Sequence, residues 1–269
     1  MRSSGYCALG ATLWVSTVLK GLWEDGGGGH GYPGLLGTSS EVGQRGRLLR
    51  LLPWPQRVTC KEVGADATVG PRFDYSGVGN SDGNLQECTV GKWRKDVLSI
   101  IDDLAEGPQI LVGSSLGGWL MLHAAIARPQ KVVALIGIAT AVDGLVIQFN
   151  QLPVEVKKEI EVKGVWSMPS KYSEKGVYDI QYSFIKEAEH HCLLHSPIPV
   201  NCPIRLLHGM KDDIVPWHTS IQVADRVVSK DVDVILRKNS DHRMKEKSDI
   251  QLLVYTIDDL IDKLSTVVN

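Results

Sequence analysis

Between Pro108 and Ala139 the chain writes a strand, a sharp turn, a helix and another strand in unbroken succession. Pro108-Gln109-Ile110-Leu111-Val112 is a short apolar run of the kind that fills a buried strand. Leu116 to Ala127 is a run of good helix formers that stops at Arg128-Pro129. Lys131 to Ala139 is continuously apolar, as a strand buried on both faces should be. The joint between the first strand and the helix reads Gly113-Ser114-Ser115-Leu116-Gly117, a G-x-S-x-G pattern. In this frame the glycines leave room for a strained turn that exposes the Ser115 hydroxyl at the end of a sheet. The helix that begins just beyond it points its N-terminal N–H groups at developing negative charge.

The rest of the carboxyl-terminal two thirds repeats the alternation. Thr89 is placed to cap a helix carrying Val90, Trp93, Val97, Ile100, Ile101 and Leu104, with Gly107 as its stop. Pro153 to Val162 reads as a helix. Ile204 to Leu207 reads as a strand, Trp217 to Val228 as a helix and Val232 to Leu236 as a strand. Ile250 to Val267 is a last amphipathic helix. Alternating strands and helices predict a mainly parallel sheet with helices on both faces. Thr140 to Pro199 interrupts the pattern with Trp166, Met168, Tyr172, Tyr178, Tyr182 and Phe184, and is expected to hold several short helices.

A serine hydroxyl needs a base, and the base needs a carboxylate to orient it. The chain offers both after later strands, in the order Ser, acid, His. His208-Gly209-Met210-Lys211-Asp212-Asp213-Ile214-Val215-Pro216 follows one strand, and Asn239-Ser240-Asp241-His242 follows the next. Asp212 is the favoured acid, with Asp213 the competing neighbour. His242 is the favoured base, being the histidine that follows the last core strand. His208 is assigned to shaping its turn and His123 to packing on a helix. His190, His191 and His195 with Cys192 look superficially like metal ligands but lack a matching second pair, so they read as a polar helix face. The Leu116 N–H is the expected first oxyanion donor; a second donor is not identifiable. No cofactor and no metal is called for.

Bulk properties narrow the classes further. The 269 residues suffice for one large domain with a substantial core. A formal net charge of −2 gives no electrostatic case for nucleic acid. No apolar run reaches the ~18 residues that span a bilayer. The five cysteines, Cys7, Cys60, Cys88, Cys192 and Cys202, show no C-x-x-C spacing, which favours free thiols in a reducing compartment.

Residues 1–71 have a different character. About half of the 27 glycines lie there, including Gly26 to Gly29. Gly26, Gly28 and Gly31 satisfy G-x-G-x-x-G, but with no strand before them the match is a coincidence of low complexity. Cys7 to Leu19 is an apolar stretch readable as a signal h-region, a targeting helix or a plain short helix. This segment is expected to be poorly ordered.

The segments RFDYSGVG, GKWRKDVLSIIDDLA, GSSLGGWLMLHAAIARP, KGVWSMPSKYSE, HHCLLHSPIPVNCPIRLLHGMKDDIVPWHT and LRKNSDHRM closely resemble a mitochondrial branch of the α/β-hydrolase family. The resemblance runs from Arg72 to Asn269. It implies the α/β-hydrolase fold, a small helical cap over about 141–199, and Ser115, Asp212 and His242 as nucleophile, acid and base. It further implies a serine esterase and thioesterase that removes S-palmitoyl groups from proteins and hydrolyses acyl-glucuronides in mitochondria. The expected partners are therefore S-acylated proteins and small ester or acyl-glucuronide substrates, with no nucleic acid and no transmembrane segment. One departure has a consequence. In the family a strand before the Arg72 segment neighbours the elbow strand and feeds a loop that donates the second oxyanion N–H. No such strand is readable here, so the N-terminal strands are expected to be missing or replaced, leaving Ile110 to Val112 as an unpaired edge. A catalytically impaired protein with a binding role is the alternative.

Overall fold

The computed structural model describes residues 12–17, 41–44, 47–52, 72–79, 81–105, 107–170 and 176–267. Its strands are β1 (Thr12–Thr17), β2 (Glu41–Gln44), β3 (Arg47–Leu52), β4 (Arg72–Phe73), β5 (Gln109–Ser114), β6 (Val132–Ile138), β7 (Val165–Pro169), β8 (Val177–Gln181), β9 (Ile204–Gly209) and β10 (Val232–Arg237). The helices are α1 (Val90–Asp103), α2 (Leu116–Ala127), α3 (Gly144–Gln151), α4 (Val154–Lys163), α5 (Tyr182–Ala188), α6 (His218–Arg226) and α7 (Lys247–Val267). Eight strands form one sheet in the order β10-β9-β6-β5-β1-β4-β3-β2. The run β10-β9-β6-β5 is parallel throughout, and β1 to β4 pair antiparallel.

The alternation of buried side chains along the parallel strands divides the core in two. Leu111, Leu135, Ile204 and Leu206 face α1, α2 and α6 on one side. Ile110, Val112, Ala134, Ile136 and Leu207 face Leu253 and Leu260 of α7 on the other. This period of two follows from the pleat. Every residue from Leu116 to Ala125 is buried, so α2 is apolar all round and lies between the sheet and its neighbours rather than on the surface. Thr89 caps α1 as expected, its side chain accepting a hydrogen bond from the Lys92 N–H at 3.1 Å.

Two expectations are corrected. First, the elbow strand is not an edge. β1 pairs with β5 along its whole length, Thr12 opposite Ser114 and Thr17 opposite Gln109. The replacement strand lies inside Cys7 to Leu19, read above as a leader or short helix. Thr-Leu-Trp-Val-Ser-Thr is rich in β-branched and aromatic residues. Its partner is far away in sequence, so local periodicity alone does not reveal it. Because it runs antiparallel, β1 brings its beginning, not its end, to the carboxyl edge of β5.

Second, the cap is not only helical. β7 and β8 form a separate antiparallel hairpin in which Trp166 lies opposite Ile180 and Met168 opposite Tyr178. These residues recur at every second position, which is strand spacing. Among the described residues the cap also holds α3, α4, α5 and a 3₁₀ turn at Glu189–His191.

Candidate active site

The turn after β5 is built by close backbone approach. A Cβ on Gly113 would lie 2.5 Å from the Gly117 carbonyl oxygen and 2.8 Å from the Gly118 Cα, so only glycine lets β5 and α2 meet there. Ser115 sits at φ 53°, ψ −123°, a region costly for a residue with a side chain. Its backbone is held in place from three sides. The Ser115 N–H donates to the Ile138 carbonyl at 2.9 Å, and the Ser115 carbonyl accepts from the N–H groups of Gly118 and Ala141, each at 3.0 Å. Leu116 is the first residue of α2, and its N–H is among the four at a helix start that find no partner within the helix.

The loops after β9 and β10 bring in the other two expected residues. They cross where Gly209 meets Ser240; a Cβ on Gly209 would be 2.2 Å from the Ser240 carbonyl oxygen. The Lys211 N–H donates to that same oxygen at 3.0 Å. On the other side of the loop, the Ser240 hydroxyl donates to Asp249 of α7 at 2.6 Å. The crossing places His242 Nε2 3.1 Å from Ser115 Oγ and His242 Nδ1 2.7 Å from Asp212 Oδ2. Ser115 and His242 are both buried.

The Asp212 side chain is enclosed completely, while its backbone is partly exposed. Burial by itself would raise the pKa of its carboxyl. The hydrogen bonds from His208 and His242, the charge of His242 and the Val215 N–H outweigh that and hold it well below the usual carboxylate range. Its Oδ1 accepts from the N–H groups of Ile214 and Val215, each at 2.8 Å. The competing Asp213 is exposed and lies at the cavity wall.

Above these residues lies a cavity of about 1130 Å³. Leu145, Ile147, Met168, Tyr178 and Ile180 from the cap give it apolar lining, and Trp217, His218, Arg243 and Lys245 from the core also line it. The cap is fastened to the core at its exit. Trp119 Nε1 and His123 Nε2 of α2 both donate to the His191 carbonyl, at 3.1 and 2.9 Å. The Asp143 carboxylate, at the start of the cap, accepts from the N–H groups of Leu193 and Leu194 at its end.

The remaining histidines separate by role. His191 bonds Glu187 within the cap, while His190 and His195 are exposed. Among the described residues no group of His, Cys, Asp and Glu could hold a metal ion. Burial pushes the Cys192 thiol up to about 12 and the Cys202 thiol up to about 11, so neither is a ready thiolate. Cys88, Cys192 and Cys202 are free thiols; Cys7 and Cys60 lie outside the described residues, as do Gly26, Gly28 and Gly31. His208 is the residue that sequence reasoning undervalued. Its Nε2 lies 3.0 Å from Asp212 Oδ2, so it takes part in the site rather than only shaping a turn. The H-G-x-x-D spacing was visible, but spacing across a strand end does not specify side-chain contact.

Relatives bear on this arrangement. The family model described as the prolyl oligopeptidase family matches residues 106–265. Over 198 residues the chain is 90% identical to bovine "Palmitoyl-protein thioesterase ABHD10, mitochondrial", covering 74% of this chain and 65% of that protein. Its identity to the human protein of the same name is 84% over 210 residues, 78% of this chain and 68% of that one. The structure of alpha/beta hydrolase domain-containing protein 10 from mouse matches with a TM-score of 0.77 at 63% identity, covering 85% of this chain and all of that one. The chain belongs to the ABHD10 family of α/β-hydrolases. It spans about two thirds of the length of the ABHD10 proteins it matches. A hydrolase structure from Agrobacterium vitis, at 23% identity and a TM-score of 0.74, shares the fold. The ABHD10 relatives are named as mitochondrial, which is the location expected for this chain.

Proposed function

We propose that this chain is a serine thioesterase and esterase that works through an acyl-enzyme on Ser115. The observation that carries the reading is the relay Ser115–His242–Asp212, with separations of 3.1 and 2.7 Å, at the floor of an apolar-walled cavity. His242 Nε2 takes the Ser115 proton as Oγ attacks the acyl carbonyl. Asp212 receives the Nδ1–H bond and stabilises the imidazolium. The Leu116 N–H, aided by the N-terminus of α2, faces the oxyanion. The thiol or alcohol leaves with the proton from His242, and water activated by the same imidazole releases the acid.

The substrate class follows from the cavity and from the relatives' name. A long apolar acyl chain fits against Leu145, Ile147, Met168, Tyr178 and Ile180, supporting S-palmitoylated proteins as substrates. Small acyl-glucuronides and esters would use the same acyl-transfer chemistry.

One observation favours the second reading, an impaired hydrolase with a binding role. On its β1 side β5 has an antiparallel neighbour, so among the described residues no strand end on that side carries a loop that would supply the second oxyanion donor. Loss of one donor costs about 100- to 1000-fold in rate. A fluorophosphonate probe and a fluorogenic palmitoyl thioester separate the readings. Labelling of wild type that vanishes in Ser115→Ala, with turnover reduced about 10⁶-fold, is the expected result for the enzyme. Folded wild type that neither labels nor turns over supports the impaired protein.

A further inference from the structure

We propose that His208 is a positioning residue for this reaction, a second imidazole that fixes the Asp212 carboxylate on His242. The inference rests on the serine hydrolase reading above. His208 lies in β9 with no solvent exposure. Its Nε2 is 3.0 Å from Asp212 Oδ2 and 3.1 Å from the Val215 carbonyl oxygen. An ionised carboxylate and a carbonyl can only accept, so Nε2 must carry a hydrogen. Its Nδ1 is 2.8 Å from Ser220 Oγ, a hydroxyl that donates to Nδ1 when the ring carries its one hydrogen on Nε2. Ser220 of α6 is itself fully buried, and this contact sets the tautomer.

Asp212 then receives four donors. His242 Nδ1–H and His208 Nε2–H meet on Oδ2, and the Ile214 and Val215 N–H groups meet on Oδ1. A carboxylate offers about four lone-pair sites, so this one is saturated and cannot swing. The order of contacts is Ser220, His208, Asp212, His242, Ser115, from α6 to the cavity. The titratable groups that meet His208 are Asp212 directly and His242 through it; Ser220 and the Val215 carbonyl complete its polar contacts. The neighbouring Asp213 is exposed.

Two effects follow from removing the Nε2–H. The carboxylate gains freedom, so the His242 ring is less well aimed. The charge left on Oδ2 is shared among fewer donors, so it stabilises the His242 imidazolium more strongly and moves the acid limb of the pH–rate profile upward. A residue that merely packs would lower the folded fraction and leave that limb where it was.

The test uses the full chain, with active sites counted by fluorophosphonate and turnover read on a fluorogenic palmitoyl thioester. Asparagine places its amide near the Nδ1 position and loses the donor to Asp212, whereas glutamine reaches the Nε2 position. His208→Asn should lower kcat about 10- to 100-fold per active site with KM changed less than about twofold. Its acid limb should rise by about half a pH unit. His208→Gln should recover most of the rate. If His208→Asn does not fold, Ser220→Ala carries the test: it leaves His208 in place, frees Nδ1, and should shift the limb in the same direction with a smaller loss. The far-downfield proton resonance of the His242–Asp212 bond should move in each variant that shifts the limb. Equal losses in the asparagine and glutamine variants with an unmoved limb overturn the proposal, as does a Ser220→Ala profile identical to wild type. Labelling that persists in Ser115→Ala would instead sink the underlying hydrolase reading, so the two failures are distinguishable.

Discussion

The two halves of the sheet are built on different rules. In β5, β6, β9 and β10 the strands run parallel and helices alternate with them, and each side chain of the candidate relay leaves the carboxyl end of its own strand. In β1, β4, β3 and β2 the pairing is antiparallel, and the edge nearest Ser115 receives the start of β1. Parallel order aims many loops at one edge, which is why such sheets gather ligands there. An antiparallel strand in the same place satisfies the hydrogen bonds of β5 just as fully but presents the wrong end. Covering an edge and furnishing a site are therefore separable tasks, and in this chain β1 performs the first.

If the parallel half alone carries the chemistry, the largest effect should come from the carboxylate that orients its base. Asp212→Asn keeps the shape but removes the charge that orients His242, and it should lower kcat about 10⁴-fold with KM little changed. Steady-state turnover at matched active-site counts checks it. A loss below tenfold would mean that another carboxylate, with exposed Asp213 the nearest in sequence, supports the base. The next effect tests the crossing of the two loops. In Gly209→Ala the new methyl would fall 2.2 Å from the Ser240 carbonyl oxygen, backbone against backbone. One loop must shift, and a shift of about 1 Å between His242 and Ser115 should cost on the order of 100-fold in kcat/KM. Full activity in this variant would show that the loops do not touch in solution.

The same division governs what could be read in advance. β5, α2, β6, β9, α6, β10 and α7 were legible because burial on two faces writes apolar runs and a helix stripe writes a 3–4 spacing. Ser115, Asp212 and His242 were legible because chain order and strand ends suffice to propose them. β1 was not, because its six residues carry no turn signals and pair with a strand about a hundred residues later. The β7–β8 hairpin is hard to see because Trp166, Met168 and Tyr178 stand out as aromatic and apolar content, and their alternate spacing shows only once Ile180 is set opposite Trp166. His208 and Ser220 were out of reach for a different reason: their roles depend on which ring nitrogen faces which oxygen, and no spacing encodes that.

The junction between core and cap should announce itself through pH. Burial pushes the His123 imidazole down to about 4, and the bond to the His191 carbonyl offsets only part of that. The unfolded ring titrates near 6.5, so the unfolded state binds the extra proton first as pH falls. Above about pH 6.5 both states are neutral and the group contributes nothing. Between 6.5 and about 4 the folded state loses ground, by roughly 2 kcal/mol at pH 5. Urea midpoints measured from pH 7.5 to 5 should show this slope, and His123→Gln, which keeps a donor to the carbonyl but cannot ionise, should flatten it. An unchanged slope would place the acid sensitivity elsewhere.

The smallest expected effect tests the antiparallel half. Successive residues of a strand turn their N–H groups to opposite sides, so one of Trp14 and Val15 points its N–H at β5. Proline at that position removes a ladder bond in the middle of a sheet and leaves a carbonyl of β5 without its donor, at a cost of about 1–2 kcal/mol. Proline at the other position turns toward β4, which meets β1 at the Trp14–Arg72 pair. Trp14→Pro and Val15→Pro should therefore differ in thermal midpoint, and both should keep wild-type kcat per active site. Two unchanged midpoints would mean that β1 does not cover β5 in solution. A kcat that falls with stability in either variant would mean that the antiparallel strand does more than cover an edge, and that its beginning, paired with Ser114, takes part in the site.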